Sequence, residues 1–244
     1  MAYILPRYIA NQDQPSSVLN YIWDDTRAYL DFRYDASGLV VKMMDTTIQS
    51  NIALCIGIYE WIIWRFHRLS DDPAPFQLAE AAWCGNIRAD YVRYFSFSYK
   101  DHLGPVQCPL CLAMNHLVGV ITDTEGIGDC LWRLRFFASC AIHVLPETQP
   151  FEKWLQYVTD RLLLLYPEPE DDPYEDIFDD HEDERRGPLV ARETLDPSFD
   201  YYPEQAPVLL DTFLRNVDHT NNSFLRSPEE LMELGIEHPY RVLP

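Results

Sequence analysis

The sequence predicts an all-α protein, an irregular multi-helix bundle with a long acidic loop and a C-terminal segment wrapped over it. Three observations carry this. Apolar residues recur at three- and four-residue spacing along most of the chain. Hydrophobic residues make up 47% of the 244 positions, enough for a packed core and too many for a disordered chain. Only 9 residues are glycine, fewer than an α/β nucleotide-binding fold uses at its phosphate turns.

Taken in chain order, Leu19, Ile22, Trp23 and Leu30 suit one face of a helix from about Ser17 to Phe32. A second, long helix is expected from about Val41 to Leu69, ended by Asp71, Asp72 and Pro73. A third runs from about Pro75 to Phe95, although the stretch Tyr94 to Tyr99 (YFSFSY) alternates and can instead be extended. Gly104 and Pro105 mark a turn. A fourth helix spans about Pro109 to Thr122. A fifth, from about Ile127 to Leu145, is apolar on most sides and therefore expected to be central. A sixth, Phe151 to Tyr166, places Leu155, Val158, Leu162 and Leu165 on one stripe, and Pro167 and Pro169 stop it.

The composition then shifts. Residues 168–202 are rich in acids and proline and read as a long exposed loop, interrupted by Ile177 and Phe178. Helical order returns with Leu210, Phe213, Leu214 and Val217. Ser227, Pro228, Glu229 and Glu230 spell a capping box with Pro at the first helical position. Gly235 falls where a left-handed cap belongs, so Pro228 to Leu234 is expected as a short helix docked by Leu231, Leu234 and Ile236. The organisation is one domain in three parts: a helical core over 1–167, the loop over 168–202 and C-terminal helices over 203–244.

Charge is the strongest functional signal. The net charge is −20, and Glu168 to Glu184 (EPEDDPYEDIFDDHEDE) holds 11 acids with no Lys or Arg. The remainder of the chain is acidic too. Such a field repels nucleic acid and anionic membranes and attracts basic partners; its plainer consequence is solubility. The start, MAYILPRYIANQ, lacks the basic opening, long apolar run and small-residue cleavage site of a signal peptide. The most apolar stretch, Ile52 to Trp64, contains Glu60 and is too short to span a bilayer.

Several residues could carry chemistry. Cys108-Pro-Leu-Cys111 has thiol–disulfide spacing at a helix start, but PVQ before it is no thioredoxin-type strand. His116, Cys130, Cys140 and His143 could add metal ligands, yet no second tight pair completes a site. The six cysteines, with Cys55 and Cys84 completing the set, suit small buried hydrophobes in a chain without a secretion signal. Asp171, Asp172, Glu175 and Asp176 spell DDxxED, a possible Mg²⁺ clamp that Pro169 and Pro173 would keep off a helix. Glu60 and His67 lie seven apart and share a face, either as an acid–base or metal pair or as a core polar pair completed by Arg65 or Arg88. HExxH, GxSxG, P-loop and GxGxxG motifs are absent, and Gly126-Ile-Gly128 is too short to cradle a phosphate. No cofactor is implied.

Trp61, Trp64, Tyr91, Tyr94, Phe95 and Trp132 recur at helical spacing and read first as core. The 15 tyrosines exceed what burial asks for, and Tyr174, Phe199, Tyr201 and Tyr202 flank the acidic run. Aromatic anchors beside steering charges are what protein-binding surfaces use.

The acidic balance, the lack of catalytic motifs and the tail NNSFLRSPEELMELGIEHPYR together resemble the acidic, helical immunity proteins of bacterial polymorphic toxin and type VI secretion systems. The resemblance assigns no residue a role. It implies a cytoplasmic antidote that binds a cognate toxin, a basic protein, and blocks its active site. No direct nucleic-acid or membrane partner is expected. The expected contacts are Asp171, Asp172, Glu175, Asp176, Asp179 and Asp180, with Tyr174 and Phe178 as anchors. Two other classes fit parts of the sequence: a DNA mimic, which shares the charge argument, and a helical enzyme centred on Glu60 and His67.

Overall fold

The computed structural model describes residues 4–10, 17–27, 30–122, 126–169 and 186–242. Among them the chain is helical, with no β-strand and only two isolated bridges. The α-helices are α1 (Arg7–Ala10), α2 (Ser37–Met43), α3 (Ile48–Phe66), α4 (Ala74–Ile87), α5 (Gly104–Thr122), α6 (Ile127–Val144), α7 (Gln149–Leu165), α8 (Ala206–Asn216) and α9 (Pro228–Glu233). Short 3₁₀ turns lie at Ala89–Tyr91, Tyr99–Asp101, Arg192–Leu195 and Pro203–Gln205.

The bundle is built around α3, every residue of which is buried. It packs against α4, α5, α6, α7 and the Arg192–Leu195 turn. A helix apolar on all sides has to be surrounded in this way. The central position expected for α6 therefore belongs to α3. One side of α6 carries exposed Trp132 instead, and Tyr94 is exposed as well. Trp61, Trp64 and Tyr91 are core, as their spacing suggested.

The single helix expected over 41–69 is two helices. The break at 44–47 is made by threonines. Thr47 caps α3 by accepting from the Ser50 N–H, and its own N–H donates to the Tyr166 carbonyl at 3.0 Å. Asn51 closes the corner by donating to Met43 O at 3.1 Å and Thr46 Oγ1 at 2.9 Å. Thr47 thus satisfies the start of α3, and Thr46 and Asn51 satisfy the end of α2.

The helix expected over 17–32 is not formed. The described part of that segment is an irregular strap across α5 and α6. The Asp24 carboxylate accepts from both the N–H and the hydroxyl of Thr26, at 2.8 and 2.7 Å, which offers the backbone an alternative to helical bonding. Side chains then hold the strap down. Arg65 donates to the Val18 carbonyl at 3.0 Å, and His143 Nε2 lies 2.9 Å from the Ile22 carbonyl.

The strap also explains why α5 starts five residues before its expected beginning. Gly104 enters at φ +88°, and its N–H meets both Asp25 carboxylate oxygens at 3.0 Å. Pro109, inside the helix, has no N–H for the Pro105 carbonyl one turn back. The Tyr21 hydroxyl donates to that carbonyl instead. By length and composition α5 is apolar enough to cross a membrane, and most of it is buried inside the bundle.

Helix α4 ends at Ile87, earlier than the expected Phe95, and the YFSFSY stretch is irregular over 94–98, with Tyr99 opening a 3₁₀ turn. Arg93 N–H donates to Phe224 O at 2.8 Å and Arg226 N–H to Tyr91 O at 3.0 Å, while Phe95 and Phe97 pack on the Phe224 ring. The C-terminal segment wraps the bundle through this contact. Its signals are as the sequence spelled them: Ser227 and Glu230 form the reciprocal capping box, Gly235 has φ +88°, and the Ile236 N–H reaches back to Leu231 O at 3.0 Å. Leu231 and Ile236 dock, whereas Leu234 faces solvent.

The largest departure lies within the loop expected over 168–202. Residues 186–202 are not an exposed loop. Val190, Ala191, Thr194, Leu195 and Tyr201 are buried, and Leu195 packs where a side chain on Gly57 would otherwise stand. Trp154 Nε1 donates to the Leu195 carbonyl at 2.9 Å, and Asn86 donates to the Val190 carbonyl at 3.2 Å. Partners on α3, α4 and α7 thus supply the order that local periodicity does not.

Candidate functional site

The residues expected to meet a partner, Asp171, Asp172, Tyr174, Glu175, Asp176, Phe178, Asp179 and Asp180, lie outside the described residues. The chain on both sides of them is described, and both sides rest on one place, the α2–α3 corner. On the incoming side Pro167 bridges to Thr46 and the Glu168 N–H donates to Asp45 O at 2.9 Å. On the outgoing side Gly187 packs on the Thr47 side chain. Its φ is +76°, and a Cβ there would collide with Thr47, so only glycine fits. Tyr166 and Tyr201 add a second tie, with their hydroxyls hydrogen bonded to each other in the core. The described residues on the two sides, Pro167 and Glu168 before and Gly187 after, therefore meet neighbouring points of the α2–α3 corner. Of the aromatics that flank it in sequence, Tyr201 is core, Phe199 is half-buried and Tyr202 is exposed.

Glu60 is fully buried, and its partner is not His67. The Tyr8 hydroxyl donates to one carboxylate oxygen. Trp83 Nε1 donates to the other at 2.9 Å, and the Arg192 guanidinium forms an ion pair with it at 2.9 Å. His67 instead places Nδ1 2.8 Å from the Trp64 carbonyl in its own helix. Arg65, one of the two expected partners, donates to the carbonyls of Val144 and Val18. A cavity of about 250 Å³ is lined by Tyr8 and Arg192 but not by Glu60. A carboxylate enclosed in this way is a cross-link: it ties the N-terminal segment, α4 and the 186–195 segment to α3. Arg192 also donates to Ile4 O at 3.0 Å, which extends the tie. Sequence reasoning missed Tyr8, Trp83 and Arg192. The usable signal was the apolar run Leu189-Val190-Ala191 beside Arg192, which a solvated loop does not need.

The cysteines are all free and buried. Cys108 lies a full turn inside α5, not at its start, so the helix N-terminus does not activate it. Burial pushes Cys108 and Cys111 up to about 11, opposite to the shift a redox pair needs. Among the described residues no three His, Cys, Asp or Glu side chains converge as a metal site.

His116 is buried with its ring stacked 3.7 Å from that of Phe136. Burial first, and Arg133 second, push its pKa down to about 3. The unfolded chain takes up this proton near pH 6.5, the folded chain only near 3, so stability falls as the pH drops through that window. Replacing His116 with Phe removes the contribution. Between pH 6.5 and 5 the variant will lose about 1.6 kcal/mol less stability than the parent in urea titrations. Equal losses would mean that His116 does not set the acid limb.

No family model matches this chain, and neither a curated protein nor a solved structure matches it.

Proposed function

We propose that this protein is a cytoplasmic, non-enzymatic inhibitor of the immunity type, which neutralises a basic protein toxin by covering its active site or substrate surface. The observation that carries this reading is the acid-rich sequence from Glu168 to Glu184, whose described flanks both meet the α2–α3 corner. Dense negative charge steers a cationic partner into encounter. Asp171, Asp172, Glu175, Asp176, Asp179 and Asp180 supply the field, and Tyr174 and Phe178 supply anchors. The enclosure of Glu60 favours this binding role over an enzyme built on that carboxylate.

The test is affinity capture from the source cell, eluted with a salt gradient, followed by kinetics on the captured protein. A basic protein released only at high salt is the expected result. Converting the six acids to Asn or Gln will then lower its association rate by about tenfold or more and flatten the salt dependence. Unchanged affinity and an unchanged salt slope would rule out the stretch as the contact surface.

A further inference from the structure

The spacing of residues along α7 builds one wall of a cleft. Gln149, Lys153 and Tyr157 stand four residues apart and so share a face of that helix, with Trp154 beside them. This face lines an open cleft of about 560 Å³, within the range of small-molecule sites. Arg7 and Tyr8 of α1 line it as well, and so do residues 196–198. The buried part of the lining is aromatic. The Tyr8 and Trp154 rings stack at 5.1 Å, and both are almost fully enclosed. The Tyr157 ring is 44% exposed, and the Arg161 guanidinium lies over it, 5.8 Å from the ring centre.

The charge of this cleft is opposite to that of the chain. Arg7 and Lys153 are exposed, and among the described residues neither has an ion-pair partner. Elsewhere cations such as Lys42 and Arg93 are met by carboxylates. The carboxylate in the lining, Asp196, is buried and already accepts from the N–H and the hydroxyl of Ser198, at 2.9 and 2.7 Å. Glu152, next to Lys153 in sequence, does not line the cleft. In a chain of net charge −20, two free cations beside aromatic rings make a local positive site against a negative background.

We propose that this cleft binds a small phosphate monoester carrying a flat ring, the chemistry of a nucleoside monophosphate. A phosphate monoester bears close to two negative charges at neutral pH, which Arg7 and Lys153 match. The ring packs on Tyr157, and the Gln149 amide and Ser198 hydroxyl offer polar contacts around it. The site does not depend on the inhibitor reading above.

Equilibrium dialysis of the full chain at physiological salt tests this with three probes: naphthyl phosphate, naphthol and inorganic phosphate. Naphthyl phosphate should bind at least about tenfold more tightly than either of the others. Arg7→Gln combined with Lys153→Gln should remove its advantage over naphthol. Tyr157→Ala should weaken naphthyl phosphate by roughly three- to tenfold while leaving inorganic phosphate unchanged. All three side chains are exposed, so the variants should keep the parent's circular dichroism melt. Naphthyl phosphate bound as tightly by the double variant as by the parent would overturn the role of the cations. Inorganic phosphate bound as tightly as naphthyl phosphate would overturn the ring subsite. No retention of naphthyl phosphate at millimolar concentration would overturn the cleft as a site.

Discussion

Replacing Glu60 with Ala will lower the unfolding free energy by about 3–5 kcal/mol, the range for removing one partner of a buried ion pair. For a chain of this size that is a fall in melting temperature of roughly 10 °C. The loss arises because Arg192, Tyr8 and Trp83 all aim donors at one enclosed carboxylate. Arg192 is 21% exposed, so water can recover part of its solvation but none of that of Trp83. Glu60→Gln keeps an acceptor and drops the charge, and should fall between parent and Ala. Glu60→Leu combined with Arg192→Met removes both charges and should regain part of the loss. Urea denaturation of the four chains measures this. A Glu60→Ala chain within about 1 kcal/mol of the parent would show that the carboxylate is not the cross-link described here.

The second large effect is expected where the sequence looks least structured. Leu195→Ala will cost about 2–5 kcal/mol, as for any leucine removed from a filled core. Its side chain is fully buried over Gly57, and its carbonyl holds the Trp154 indole. Leu164→Ala, in a regular helix but 77% exposed, should change stability by less than about 0.5 kcal/mol. Equal small effects at both positions would return residues 186–199 to the status of a surface loop.

These two sites mark where the sequence was readable and where it was not. The existence of α4 to α8 and the caps of α9 were legible because their signals are local, a 3.6-residue stripe, a capping box, a glycine at the left-handed position, whereas the end of α4 and the start of α5 were misplaced. The Ser17–Phe32 helix failed because four well-spaced apolar residues outweighed Asp24, whose carboxylate takes the Thr26 N–H and hydroxyl. The α2–α3 break depends on the Tyr166 carbonyl, far along the chain, and no window around Thr47 contains it. Arg192 had a local signal, the apolar run beside it, but its partner is equally distant in sequence. Its value lies in Glu60, and composition alone assigned it to an acidic, proline-rich neighbourhood. The charge that motivates the functional reading was plain from the letters, but the corner that anchors it was not.

That corner has a consequence for how the protein can diversify. A chain segment that leaves from and returns to neighbouring fixed points can change length at little cost, since doubling it adds only about 0.6 kcal/mol of closure entropy. Its described flanks are fastened by Thr46, Thr47, Pro167 and Gly187. On the proposed inhibitor reading, the acids and aromatics between these flanks are where a change of partner would be met, while Thr46, Thr47, Pro167 and Gly187 stay as they are.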